Sequence, residues 1–346
     1  MEKKSVILTI LFMAAGFTVV FFYLNGNEQK KYSNVTIQSH VNIDGERKWQ
    51  EAEWERIETF TQTSNESLIS PVLLTSHDEL IYVGDWGVMD IKVFNKEGEN
   101  IVSMGRRGRG PGEFQRIMDI DFFHDSLFIS DPEKHEVIIY SKNGDHSNSF
   151  RIDHSTNRLA VSDENIYTLA IQDSLFERYD HEGNTNLTFG KILDKPILNQ
   201  LNMAGRIEFI TELDSFLYIP RFASYLIYYA ADGKLNKIVE TLDGIPFSES
   251  TQELTGERIQ IRTPDTEVEI RDSFIDDENL YLLGRFVKNG SPIDNDHFID
   301  IYSLHGDKYL HSYKLPIPAT QFTIIENTVY FIDLTDQSLV AFNLIN

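Results

Sequence analysis

Three aspartates each close a short apolar run: Asp85 after Leu80-Ile81-Tyr82-Val83, Asp131 after Leu127-Phe128-Ile129, and Asp333 after Val329-Tyr330-Phe331-Ile332. Carboxylates at equivalent places in successive strands can converge on a divalent cation, and Ca²⁺ takes about six to eight oxygen ligands. Arg221 follows a similar run, Phe216-Leu217-Tyr218-Ile219, and Arg285 stands one step further beyond Leu280-Tyr281-Leu282-Leu283. Cations in the same set point to an anionic ligand instead. An aspartate just after a strand also caps the next turn through an Asx-type bond. Capping, Ca²⁺ ligation by Asp85, Asp131 and Asp333, and anion binding by Arg221 and Arg285 therefore stand side by side.

A second group lies in Gly105-Arg106-Arg107-Gly108-Arg109-Gly110-Pro111-Gly112-Glu113-Phe114. Its glycines expose backbone N–H groups, and Arg106, Arg107 and Arg109 add positive charge, a combination suited to phosphate or an acidic glycan. The spacing is not that of a nucleotide-binding P-loop, and no helix is expected after it. The structural alternative is a tight turn whose arginines pair with carboxylates such as Glu113. The 10 histidines lack metal-ligand spacing, and there is no Gly-x-Ser-x-Gly nucleophile elbow. No catalytic constellation is recognisable, and sequence expectation is for no obligatory cofactor, with Ca²⁺ the one candidate.

The elements that position these residues come from a repeat. An aromatic residue closes an apolar run and a glycine follows four positions later at Phe94 to Gly98, Tyr140 to Gly144, Tyr179 to Gly183, Tyr229 to Gly233 and Tyr302 to Gly306; a sixth copy runs from Phe342 to Asn346. Asparagine, like glycine, tolerates a left-handed turn. Another short strand precedes each aromatic, a third precedes that hairpin, and a fourth follows each glycine. Four antiparallel strands recurring at roughly 40–50 residues is the pattern of a β-propeller blade. The sixth unit ends before it can supply a fourth strand, and an unpaired edge is costly. Residues 55–62, which alternate apolar and polar, are expected to fill that place and close the ring.

The loop Gly105–Phe114, the run Leu80–Asp85 and the run Ile91–Gly98 together resemble the NHL-type repeat, with its Gly-x-Gly-Pro-Gly-x-Phe loop and Tyr-Val-x-Asp strand end. More narrowly, residues 55–346 resemble the six-bladed β-propeller proteins of Bacteroidetes. That resemblance implies an all-β, six-bladed fold with four-stranded blades and an export route, and it names no reaction. The Asp85, Asp131 and Asp333 set is the one that would match a Ca-dependent hydrolase or lyase of the lactonase-like propeller kind.

The remaining segments set location. After Met1-Glu2-Lys3-Lys4, residues 5–24 are apolar and uncharged. About 20 such residues span a bilayer, whereas a cleavable signal has a shorter apolar region and a small-x-small site. The stretch reads as a signal anchor, with a signal peptide as the alternative, and the flanking lysines keep residues 1–4 cytoplasmic. Residues 25–54 read as a tether, and the 55–346 propeller is then periplasmic or otherwise in the cell envelope. The net charge of −23 repels phosphate backbones, so nucleic acid is not an expected partner. Without cysteine there is no disulfide or thiol nucleophile. Two insertions, 191–205 and 244–264, interrupt the rhythm. Both are expected on one face, the second beginning a short helix at Ser248–Leu254. The function expected is a membrane-tethered module that binds a protein, peptide or glycan, with the Ca-dependent enzyme as the alternative.

Overall fold

The computed structural model describes residues 40–42, 45–65, 67–170, 174–190, 203–247, 251–255, 258–262, 266–288 and 291–345. The chain divides into two compact units, residues 1–31 and 32–346, and every described residue belongs to the second. The apolar stretch 5–24 lies outside the described residues. Among those described, no helix is long and apolar enough to cross a membrane.

The second unit is a six-bladed β-propeller. Blade one is formed by Pro71–His77, Leu80–Asp85, Asp90–Phe94 and Asn100–Met104; blade two by Asp119–Phe123, Ser126–Asp131, Glu136–Ser141 and His146–Arg151. Blade three contains Leu159–Val161, Ile166–Leu169, Phe176–Tyr179 and Thr185–Phe189, and blade four Gly205–Ile210, Ser215–Pro220, Tyr225–Ala230 and Leu235–Glu240. Blade five has the longest strands, Val268–Ile275, Asn279–Lys288, Ser291–Ser303 and Lys308–Lys314. Blade six is Ala319–Ile325, Thr328–Asp333, Leu339–Ile345 and, at its outer edge, Glu53–Arg56. The first strands of successive blades touch in a closed cycle around the axis.

Aromatic and β-branched residues make these strands, and their burial explains the ring. The second and third strands are buried on both faces, because blades stack face to face, while the outer strands Asn100–Met104, His146–Arg151 and Thr185–Phe189 are largely exposed. Each of the six interfaces has its own apolar cluster: Ile91 and Leu127 between blades one and two, Phe128 and Tyr179 between two and three, Phe176 and Phe216 between three and four. Leu217 and Tyr302 lie between four and five, Ile299 and Phe331 between five and six, and Val83 and Tyr330 between six and one.

The repeat glycine has a conformational reason in four of its copies. Gly98, Gly144, Gly183 and Gly233 have φ of +82°, +95°, +89° and +79°, the left-handed region that costs glycine least. In the fifth copy the left-handed residue is Asp307, at +46°, one place after Gly306. Asn346, the sixth, lies outside the described residues.

Closure by an N-terminal strand is as expected, but the strand is Glu53–Arg56 and not residues 55–62. Glu53, Trp54, Glu55 and Arg56 pair antiparallel with Ile345, Leu344, Asn343 and Phe342. Residues Glu58–Asn65 form a helix. Phe60, Thr61 and Ser64 are its buried residues, a helical spacing, and Phe60 packs edge-on against Tyr330 at 5.1 Å. The short alternation of residues 57–62 fits either period, and packing of Phe60 between blades six and one decides for the helix. A second correction concerns the insertion 244–264. Where a helix was expected from Ser248, Thr251–Thr255 and Arg258–Arg262 pair as an antiparallel hairpin.

The segment before the closing strand is also built in. His40–Asn42 adds in parallel to the outer strand of blade four, and Trp49 bridges to Ser312 on blade five. Between them Arg47 is inserted: its Nε and Nη2 donate to Asp300 at 2.9 and 2.8 Å, and Nη2 also donates to Asp243 at 2.9 Å. Its guanidinium lies 4.2 Å from the Phe298 ring centre. Burial works against the charge, but Asp300 and Asp243 more than restore it, and the Arg47 pKa is raised. Residues 45–56 are therefore a strap over the outer edges of blades five and six.

Candidate functional site

In a four-stranded antiparallel blade, the links from fourth to first strand and those from second to third emerge together. This crossover face carries the glycine-rich loop, the Thr251–Arg262 hairpin and every sequence-selected site residue.

The glycine-rich loop is tied down from within. Gly108 N–H donates to Phe114 O at 2.9 Å and Phe114 N–H to Arg106 O at 2.8 Å. Glu113 accepts from Arg106 Nε and from Gly110 N–H, both at 2.8 Å, and these two bonds hold its carboxyl below the usual range, Gly110 contributing most. Arg106 is thus occupied by Glu113, as the structural alternative expects. Arg107 donates to Trp86 O at 3.1 Å, and Arg109 is exposed. Beside the loop opens a cavity of about 470 Å³ lined by Trp86, Met89, Arg107, Gln115, Arg116 and Glu133. Arg116 lies 4.7 Å from the Trp86 ring centre, and the indole is fixed by its N–H bond to Ile117 O at 2.6 Å.

Two of the aspartates are fully engaged with backbone. Asp85 accepts N–H bonds from Ile69 at 2.7 Å, Ser70 at 2.9 Å and Gly87 at 2.7 Å. Asp131 accepts from Gln115 at 2.7 Å and from Arg116 and Lys134 at 3.2 Å. Asp333 accepts one, from Thr335 at 2.8 Å. Each ties the chain entering its blade, or the turn leaving the second strand, to the strand end. Among the described residues no three His, Asp or Glu side chains are grouped as a metal site.

Arg221 and Arg285 come together, and on a residue that the sequence reading passed over. Backbone N–H of Ile270 donates to Arg221 O at 2.9 Å, which fixes the end of blade four against blade five. In blade five Glu269 stands opposite Arg285, and a bulge between Ile270 and Asp272 leaves Arg271 outside the ladder. Arg221 forks onto Glu269 Oε1 through Nε and Nη2. Arg285 forks onto Oε2, with Nε at 2.6 Å and Nη2 at 2.5 Å, and Arg271 Nη1 lies 3.1 Å from Oε1. Burial raises the Glu269 pKa, but Arg221, Arg271 and Arg285 together pull it below the usual range. Burial, and then repulsion from Arg271, takes Arg221 down to about 10. Burial and then Arg285 take His297 down to about 4, so that His297 is neutral.

Deeper along the axis the first strands carry further charges. Arg206 of blade four reaches Asp119 of blade two at 2.9 Å and Asp272 of blade five at 3.3 Å. The carboxylates also join neighbouring blades: Asp119 and Asp121 accept N–H bonds from Leu159 and Val161, Ser273 donates to Glu208 at 2.6 Å, and Phe322 N–H donates to Asp272. Burial raises Asp121 to about 6, Asp272 to about 6 and Glu208 to about 7. The signal for this network is present in the sequence as charged residues two apart in first strands: Asp119-x-Asp121, Arg206-x-Glu208 and Glu269-x-Arg271. Such strands turn one charged row toward the axis.

With this geometry in view, comparison with known proteins gives a consistent fold. A family model described as 6-bladed beta-propeller matches residues 59–293. Similar crystal structures include a putative exported protein from Bacteroides fragilis NCTC 9343, at 12% identity, covering 88% of this chain and 98% of that chain with a TM-score of 0.55. A member of the duf4221 family from Bacteroides vulgatus is similar at 8% identity, with 87% and 98% covered and a TM-score of 0.58. Virginiamycin B lyase from Staphylococcus aureus is similar at 10% identity, with 85% and 100% covered and a TM-score of 0.51. At these identities the likeness is one of fold. None of the curated proteins matches the chain.

Proposed function

This chain belongs to the DUF5128 family of 6-bladed beta-propellers, and on that premise we propose that it is an extracytoplasmic, membrane-tethered binding module whose crossover face takes an anionic protein, peptide or glycan. The observation that carries the reading is the gathering of arginines on that face of a protein with net charge −23. Arg107 and Arg116 border an open cavity with an aromatic wall, and Arg221, Arg271 and Arg285 share a single carboxylate. A strongly acidic molecule that concentrates cations on one face attracts acidic partners there and repels them elsewhere. The apolar residues 5–24 and the description of the Bacteroides fragilis propeller as a putative exported protein support the location.

The test is retention of the full chain, in mild detergent, on an immobilised acidic polysaccharide such as polygalacturonate and on neutral dextran. Retention on the acidic matrix alone, lost in the Arg107→Glu/Arg116→Glu double variant, is expected. Equal retention of parent and variant would overturn the assignment of the face.

A further inference from the structure

The axial mouth holds three guanidinium groups against one carboxylate, and its arrangement is more specific than an excess of charge. We infer that Arg221, Arg271 and Arg285 form a binding site for a ligand carboxylate, an inference that rests on the crossover face being the ligand-binding face.

Glu269 is the reason for choosing a carboxylate. It is only 5% exposed at its side chain, and Arg221 and Arg285 clamp its two oxygens with two nitrogens each. Planar forks of this kind match carboxylates in geometry as well as charge. With Glu269 held from both sides, the arginines are fixed in place and keep donors to spare. Arg271 uses one nitrogen, Nη1, on Glu269, and its Nε and Nη2 have no partner among the described residues. Arg221 leaves Nη1 free in the same sense. The side chains of Arg221 and Arg271 are 31% and 21% exposed, so these donors are reachable.

Among the described residues, the surroundings do not supply the missing negative charge. His297, opposite Arg285 in the ladder, is neutral and its Nδ1 is engaged with the Ala319 backbone. The axial carboxylates Asp119 and Asp272 are engaged with Arg206. Glu269 alone leaves a local charge of about +2, which one or two ligand carboxylates would neutralise. In this arrangement Glu269 is a positioning residue: it orders the forks, and the bound group meets the donors that Glu269 leaves unused.

Calorimetric titration of the full chain in mild detergent tests this with two probes from different sources. They are galacturonate and N-acetylalanine, each beside its uncharged counterpart, galactose or N-acetylalaninamide, with inorganic phosphate as a further arm. Binding of at least one carboxylate, and not of its counterpart, is expected. Arg271→Gln should weaken it roughly ten-fold, the loss of one charge-assisted hydrogen bond, while Arg151→Gln, at an exposed position on the outer strand of blade two, leaves it unchanged. The tighter probe identifies a sugar acid or a peptide terminus as the source.

Absence of carboxylate binding, binding that survives Arg271→Gln, or tighter binding of phosphate would overturn the assignment. Should Arg271→Gln melt abnormally, Arg271→Lys keeps the charge and loses the fork. Weakened binding with native melting then supports the site, and unchanged binding overturns it. A chain that is retained on polygalacturonate but binds neither probe refutes the mouth and leaves the face; one that binds a probe at the mouth but is not retained refutes the Arg107 and Arg116 cavity as the polymer site and leaves the mouth.

Discussion

Replacing Arg47 with alanine should destabilise the propeller by about 4 kcal/mol. Arg47 makes three charge-assisted bonds of 2.8–2.9 Å to Asp300 and Asp243. The side chain of Asp300 is 1% exposed and that of Arg47 9%, so the variant leaves a carboxylate buried without its counter-ion. Breaking such a pair costs about 3–5 kcal/mol, and loss of the cation from the Phe298 ring adds about 0.5–1 kcal/mol. For a domain of this size each kcal/mol moves the thermal midpoint by roughly 2 °C, giving a fall of roughly 8–10 °C. Urea unfolding should show a lower midpoint at an unchanged slope, the mark of a stability change without altered exposure. The Arg47→Ala/Asp300→Ala pair should cost less than the sum of its single variants by at least about 1 kcal/mol. A loss below about 1 kcal/mol for Arg47→Ala, or strict additivity, would refute the view that the strap couples blades four and five through this ion pair.

Three other outcomes follow from the geometry. Glu208, Asp121 and Asp272 have folded pKa values raised to about 7, 6 and 6, so between about pH 4 and 7 the folded chain binds more protons than the unfolded one. Their contribution to stability must therefore fall as pH rises through that window; the thermal midpoint should decline from pH 5 to 8, with a shallower slope in Glu208→Gln, and an identical slope would contradict the assignment. Trp54 packs on Tyr313, Phe331 and Phe342 and donates to Lys314 O at 3.1 Å, so Trp54→Ala should cost about 3 kcal/mol and expose the edge of blade six to proteolysis; parent-like protease resistance would count against closure by Glu53–Arg56. Because Asp85 and Asp131 accept three backbone N–H bonds each, millimolar Ca²⁺ or a chelator should leave the midpoint unchanged; a shift of many degrees would restore the metal reading of Asp85, Asp131 and Asp333.

The blade pattern was legible because it is local. The strands between Leu80 and Phe94 are marked by apolar and aromatic runs, and the turn at Gly98 by a left-handed glycine. The closing strand was legible only as a requirement: the missing fourth strand of blade six demands a partner, but its residues were misplaced from 53–56 to 55–62. Ile57–Gln62 carries an alternation too short to separate a strand from a helix, and the burial of Phe60 and Ser64 settles it. Arg47 could not be read as an anchor at all, since Asp243 and Asp300 lie 196 and 253 residues away.

The site shows the same division. Arg221 and Arg285 were found from the apolar runs that they follow, while Glu269 and Arg271 lie in a first strand that the sequence reading passed over. By itself the sequence determined the repeating four-stranded unit, its six-fold count and the acidic character of the chain, because strand period and turn conformation are properties of a few neighbouring residues. Only the tertiary structure decided which charges meet. Closing the ring turns the first strands of separate blades toward one axis, and there Arg206 bridges Asp119 and Asp272 while three arginines converge on Glu269.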